Sequence, residues 1–103
     1  MTRIYVEPQR PHCLLSAQGH ATGSEAVCAA VSGILYALAG YLACHEKADR
    51  RRHVMAPARA LLEYDGDEGV EAAYTMAAIG LLQIEKAYPE QIKVTIKEKE
   101  KTR

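Results

Sequence analysis

Apolar and polar positions alternate near both ends of the chain and in its middle, which is typical of strands that bury one face. Alternation predicts strands over residues 3–7 and 92–96, and residues 12–18, 53–56 and 59–64 are interpreted as three further strands. Pro8 and Pro11 mark a turn between the first two in chain order, so these two are expected to form a hairpin. Pro57 separates the third from the fourth. Arg50, Arg51 and Arg52 fall before the third strand and are expected in a polar connection.

Two segments have the three- and four-residue spacing of helices. The first is predicted over residues 24–46, with Thr22 and Glu25 as a capping box or Ser24 as a competing cap. Small residues recur along it and are expected to face a closely packed neighbour: Ala29, Gly33, Ala37 and Gly40.

The second helix is expected to start after the capping residue Asp67 and to stop at Pro89. Its apolar positions form one stripe that predicts a buried face: Val70, Ala73, Tyr74, Ala77, Leu81, Ile84 and Tyr88. The order of elements is strand, strand, helix, two strands, helix, strand. It indicates an α+β fold, with a mixed or antiparallel sheet and two helices packed against it.

Composition adds limits to this picture. The 103 residues predict a single domain over 1–103, and 49% of them are apolar although Phe and Trp are absent. A short chain with two alanine-rich helices is expected to bury surplus apolar surface as a homodimer. The 13 basic and 13 acidic side chains cancel, which argues against direct nucleic-acid binding or attraction to a membrane surface.

Two further expectations concern location. Residues 26–43 are apolar but rich in Ala, Gly and Ser, so they are interpreted as a core helix and not as a membrane span. No leader peptide is recognised at the start. Three cysteines without CxxC spacing favour a reducing compartment, and the cytoplasm is predicted.

The candidate chemistry lies between the second strand and the first helix. His20 stands in a turn between Gly19 and Gly23, and Cys28 follows eight residues later in the opening turns of the helix. The partial positive charge of a helix N-terminus favours a thiolate, and a nearby histidine can act as base and then as acid. Ser32 lies one turn beyond Cys28 on the same face.

These residues also resemble a known family. Gly19-His20-Ala21 followed by Val27-Cys28-Ala29-Ala30-Val31-Ser32 is similar to the signature of the ribosomal-processing cysteine protease family, Prp. The chain departs from it in a shortened loop, residues 22–25, and in Glu25 where the family has aspartate.

The resemblance implies an α+β homodimer, a cysteine endopeptidase with catalytic His20 and Cys28, and no cofactor. It also implies a substrate, the precursor of large-subunit ribosomal protein L-twenty-seven, whose N-terminal extension is removed; a phage structural protein is the alternative. The backbone amides of Gly19, Gly23 and Cys28 are candidates for the oxyanion hole, and Ser32 is a lesser site candidate.

Other functions remain open on the sequence. The same scaffold could be a non-catalytic homodimer that binds a ribosomal or phage protein, or a thiol redox sensor, although no cysteine lies near Cys28 in sequence to resolve it. His12-Cys13 and Cys44-His45 invite a zinc site, but adjacent strand residues point to opposite faces and no metal is predicted. The three consecutive arginines could anchor an acidic substrate or ribosomal RNA.

Overall fold

A computed structural model describes residues 1–19 and 25–97 of the chain. It contains five strands and two helices in the predicted order: β1 (Thr2–Glu7), β2 (His12–Gln18), α1 (Glu25–Cys44), β3 (Asp49–Ala56), β4 (Arg59–Asp65), α2 (Glu68–Ala87) and β5 (Ile92–Ile96). The α+β fold and the β1–β2 hairpin are therefore confirmed.

The five strands form one mixed sheet in the order β3-β4-β2-β1-β5. All neighbours are antiparallel except β1 and β5, which are parallel. Strand residues alternate between two faces, and one face is buried under the helices. Its fully buried members include Val6, Leu15, Leu62 and Ile92. The opposite face, called the open face below, has no element packed on it among the described residues.

The N-terminal half of the second helix is fixed by a cap and by a hydrogen bond to the sheet. Asp67 caps α2, and its carboxylate accepts hydrogen bonds from the backbone N–H groups of Gly69 and Val70. Tyr74 is fully buried, and its hydroxyl donates to the Leu62 carbonyl oxygen at 2.7 Å. The cap predicted from sequence is thus confirmed, and α2 is fixed in register against β4.

The two helices pack side by side, with Gly80 of α2 beside the end of the Ile34 side chain of α1. A Cβ at Gly80 of α2 would lie 2.9 Å from the Cδ1 atom of Ile34 in α1. Glycine therefore permits the close approach of the two helices at this point.

Three expectations from sequence are corrected. Arg50, Arg51 and Arg52 lie within β3 and not in a connection, because β3 begins at Asp49 and passes through a bulge between Arg50 and Arg52. Tyr88 is the C-cap of α2 and is 45% exposed, so the buried stripe ends before it.

The small-residue stripe of α1 is the third correction, because it faces away from the sheet. Its four residues, Ala29, Gly33, Ala37 and Gly40, are exposed. The sheet is covered instead by the larger side chains of the same helix, which bury more apolar area: Val27, Val31, Leu35, Leu38 and Leu42.

Length and composition alone would allow α1 to cross a membrane. One such helix near an N-terminus is weak support for a span, because core helices pass the same test. In the fold, α1 packs against α2 and β4, in agreement with its interpretation as a core helix.

Candidate active site

The cavity beside Cys28 is formed where the start of α1 meets one end of the sheet. Cys28 lies in the first turns of α1 and is half-buried. The cavity has a volume of 340 Å³, and Ser32 and Tyr36, one and two turns further along the helix, line it with Cys28. A thiol at this place is accessible to a ligand while most of its helix face stays packed on the core.

The hairpin between β3 and β4 forms the opposite wall of the cavity. Residues 55–60 line it, with Pro57 and Ala58 at the turn. Ala58 has φ of +60°, a left-handed conformation in which a Cβ is unfavourable. Its carbonyl oxygen accepts a hydrogen bond from the Gly19 N–H at 2.9 Å. This bond links the hairpin tip to the end of β2.

Gly19 has a structural role that requires glycine. Its φ is +89°, and a Cβ there would lie 2.5 Å from the Met1 carbonyl oxygen. The Gly19 amide was a candidate oxyanion donor, but the bond to Ala58 engages it. Gly19 therefore forms part of the cavity wall with its amide bonded to Ala58, and the oxyanion role predicted for that amide stays a prediction.

His20 and Gly23 lie outside the described residues, so the predicted approach of His20 to Cys28 stays a prediction. Gly19, which precedes His20 in the sequence, does line the Cys28 cavity. Ser32 lines it as well. Of the predicted site residues that the structure describes, Gly19, Cys28 and Ser32 thus share one cavity.

Sequence reasoning missed the hairpin wall and Tyr36. Tyr36 is 67% exposed, and Met55 is half-buried on the helix-covered face of β3. Arg59 is the one charged residue among the described residues of the cavity wall. The signal for Tyr36 was available, because it lies eight residues after Cys28, on the same helix face. The hairpin gave no such signal, since strand order decides its position.

The zinc alternative finds no support in the arrangement of the paired residues. Cys13 is buried on the helix side of β2, while His12 lies on the open face between Asp65 and Glu63. Within residues 1–19 and 25–97, no three His, Cys, Asp or Glu side chains are grouped to hold a metal ion.

Carboxylates of the neighbouring strand β4 engage two of the three consecutive arginines. Arg51 binds Asp65 at 2.5 Å and Arg52 binds Glu63 at 2.5 Å. The hydrogen bond from Arg51 and that from His12 hold the pKa of Asp65 below its ordinary value. Arg51 and Arg52 therefore link β3 to β4 through ion pairs within the sheet.

The fold and the cavity define a small α+β protein that presents a helix-borne thiol beside a β-hairpin. The sequence profile of the family described as cysteine protease Prp matches residues 1–93. The chain belongs to this family and is a cysteine-type peptidase. No curated protein sequence matches it significantly.

Solved structures share the fold at low sequence identity. The ribosomal processing protease Prp from S. aureus, in complex with a covalently linked product peptide, has a TM-score of 0.77 and 17% identity, over 94% of this chain and 100% of that chain. SMU.848 from Streptococcus mutans has a TM-score of 0.72 and 19% identity, over 96% of each chain. The S. aureus protease with a substrate peptide has a TM-score of 0.67 and 16% identity, over 94% of this chain and 100% of that chain.

Proposed function

We propose that the chain is an endopeptidase in which Cys28 is the nucleophile and His20 its base. The observation that supports this most is the 340 Å³ cavity onto which the Cys28 thiol opens, at the positive end of α1. His20 takes the thiol proton, and the sulfur attacks the carbonyl carbon of a peptide bond. His20 then gives the proton to the leaving amine, and water hydrolyses the thioester.

We propose the precursor of ribosomal protein L-twenty-seven as the substrate, cleaved after its N-terminal extension. Support comes from the similar S. aureus protease, which is described as a ribosomal processing protease and holds product and substrate peptides. A phage structural protein is the alternative substrate. Synthesis of a ribosomal precursor in the cytoplasm fits the compartment predicted from the three cysteines.

Cleavage of the precursor, measured by mass spectrometry of the products, tests the nucleophile. Cys28→Ser is expected to lower turnover by at least about 1,000-fold, because a serine hydroxyl is far harder to ionise than a thiol. Cys44→Ser is the matched control, since Cys44 is exposed at the far end of α1, and it should keep wild-type turnover. Full turnover by Cys28→Ser would show that the nucleophile lies elsewhere.

Alkylation separates the peptidase from a non-catalytic binding protein. Iodoacetamide at neutral pH should modify Cys28 faster than Cys44, although Cys44 is the more exposed of the two. His20→Ala should slow the reaction at Cys28 and leave that at Cys44 unchanged. A Cys28 thiol that reacts more slowly than Cys44 in the wild-type chain, together with an uncleaved precursor, would favour the binding protein.

We also propose that the chain forms a homodimer through the exposed side of its helices. Tyr36, Met76 and Ile79 are 67%, 71% and 54% exposed there. A Cβ built at Gly33 or Gly40 of the small-residue stripe would have no described atom within 4 Å. An apolar groove of 540 Å³ runs between α1 and α2. A surface of this kind on a small protein marks an interaction site.

Sedimentation equilibrium tests the dimer. The wild-type chain should have twice the 11.3 kDa mass of one chain, and Met76→Glu should reduce that mass to one chain. Thr95→Glu, on the open face of the sheet, is the control and should leave the dimer intact. A wild-type mass of one chain that does not rise on concentration would contradict the proposal.

A further inference from the structure

Four polar residues form a single row across the open face of the sheet. Arg59 of β4 lies opposite Gln18 of β2, Gln18 opposite Arg3 of β1, and Arg3 opposite Lys93 of β5. We call these four residues the basic row. Neighbouring strands are about 4.8 Å apart, so its backbone positions span about 14 Å.

The three cations of the basic row are not neutralised within the described part of the chain. Arg3, Arg59 and Lys93 form no ion pair with residues 1–19 and 25–97, whereas Arg51 and Arg52 of the same sheet each bind a carboxylate.

The acids of the open face are too distant to neutralise this charge. Glu7 and Glu63 each lie four residues along the strand from a cation of the row, which places their backbone positions about 13 Å away. Glu7 accepts a hydrogen bond from Tyr5, and Glu63 binds Arg52. Between these acids and the basic row lies a row of uncharged residues: Val54, Leu61, Ser16, Tyr5 and Thr95.

The basic row meets the Cys28 cavity at one residue, Arg59, at the start of β4, since the cavity itself lies on the helix-covered side. Arg59 lines that cavity, and Gln18 is flanked in the chain by two further lining residues, Ala17 and Gly19. Beyond Gln18, a shallow cavity of 350 Å³ on the open face is lined by Arg3 and Lys93. Hydroxyl and amide groups also line it, those of Tyr5, Ser16, Gln18 and Thr95.

We propose that the basic row binds the carboxylates of an acidic segment of the polypeptide substrate, beside the bond that Cys28 cleaves. This inference rests on the proposed peptidase function. Guanidinium groups bind carboxylates with two parallel hydrogen bonds, and the polar groups between the cations can bind the peptide backbone. A polypeptide is favoured over RNA because the row meets the thiol cavity at Arg59, and because the row holds three cations in a chain of zero net charge.

Matched substrates and matched variants test the row. The substrates are peptides from the precursor extended by four Glu or four Gln residues at either flank. The test variant is Arg3→Gln/Arg59→Gln/Lys93→Gln. The control, Lys47→Gln/Lys86→Gln/Lys97→Gln, removes the same charge from exposed lysines outside the row.

For one flank, the wild-type KM should be lower for the Glu peptide than for the Gln peptide. The test variant should raise KM for the Glu peptide about 10-fold, with kcat unchanged within about twofold. The control should keep the wild-type preference. Equal KM values of the wild-type chain for Glu and Gln peptides on both flanks would overturn the inference while leaving the peptidase intact.

A binding assay keeps the two proposals separable. Cys28→Ser protein is titrated with fluorescent Glu-flanked peptide, Gln-flanked peptide or single-stranded RNA of equal charge. The Glu peptide should bind more tightly than the Gln peptide. Adding the three row substitutions should raise its dissociation constant about 10-fold. This result would support the row even if no peptide is cleaved. RNA that binds more tightly than the Glu peptide, or equal binding of the two peptides, would overturn it.

Discussion

Charged side chains are arranged differently at the two ends of the open sheet face. At the Cys28 end, Arg3, Arg59 and Lys93 have no acidic partner among the described residues. At the opposite end the charges are paired in what we call the paired cluster: His12, Arg51, Arg52, Glu63 and Asp65. The same sheet thus carries one set of cations with internal partners and one without.

Backbone and core differ between the two ends as well. The Cys28 end has a left-handed Ala58 at a hairpin tip beside a cavity. The opposite end has the capped start of α2 at Asp67 and the buried Tyr64. We conclude that the Cys28 end is available for ligands, whereas the opposite end stabilises the fold. Substitutions at the opposite end should therefore change stability and leave turnover unchanged.

The largest effect is expected for Tyr74→Phe. Its hydroxyl donates to the Leu62 carbonyl oxygen in a fully buried place, so the substitution removes a buried hydrogen bond between α2 and β4. The free energy of unfolding should fall by about 1–2 kcal/mol, measured by urea denaturation. Tyr88→Phe, at a tyrosine that is 45% exposed, should change it little. Equal effects of the two would contradict the assignment.

Loss of the helix cap is expected to have the next largest effect. Asp67→Ala removes the acceptor for two backbone N–H groups of α2 and should lower the thermal unfolding midpoint by about 4–8 °C. Asp67→Asn keeps an acceptor oxygen and should lower it less. The peptidase rate should stay unchanged at temperatures where the variant is folded. A lower rate there would contradict the claim that this end of the sheet affects stability and not turnover.

The paired cluster should make stability depend on pH through His12. Its two ring nitrogens lie 2.5 Å from Asp65 and 2.6 Å from Glu63, and both can donate only when the ring is protonated. The hydrogen bond to Asp65 is the main cause that raises the pKa of His12 above its ordinary value of 6.5. The contribution of protonated His12 to the free energy of unfolding is therefore full below pH 6.5. It is lost as the pH rises through the raised pKa.

Thermal unfolding at several pH values checks this sign. The wild-type midpoint should exceed that of His12→Gln by more at pH 5.5 than at pH 8.5. This range avoids the titration of Glu63 and Asp65, whose pKa values are lowered by Arg52 and Arg51 respectively. A difference that grows with rising pH would show that His12 does not bind the carboxylates as a cation.

The smallest effect is expected at the hairpin tip of the Cys28 end. Ala58→Gly removes a Cβ from a left-handed residue, which should outweigh the greater freedom of glycine in the unfolded chain. The free energy of unfolding should rise by about 0.5 kcal/mol. Ala56→Gly, in strand β3, should instead lower it. A loss of stability with Ala58→Gly would argue against strain at this turn.

Local sequence patterns were sufficient to predict the elements of this protein and the position of its thiol. The prediction of β2 at residues 12–18 is confirmed, and Asp67 and Pro89 bounded α2 within a residue or two. Cys28 was correctly assigned to the first turns of α1. These features depend on periodicity, capping and turn residues, which act between positions a few residues apart.

The choice of buried face on α1 needed the tertiary structure. The helix has apolar residues on more than one side, so its periodicity does not show which side meets the sheet. Burial favours the side with Val27, Leu35 and Leu42, because larger side chains remove more apolar surface from water. The small-residue stripe was left outside for this reason.

The order of the strands in the sheet was likewise visible only in the folded chain. It placed the β3–β4 hairpin against Cys28, and it aligned Arg3, Arg59 and Lys93 in one row although up to 90 residues separate them in the chain. Strand pairing over such distances depends on how complete side chains fit between sheet and helices. Local sequence patterns do not show how distant side chains pack together. The cavity wall and the basic row could therefore be found only in the folded chain.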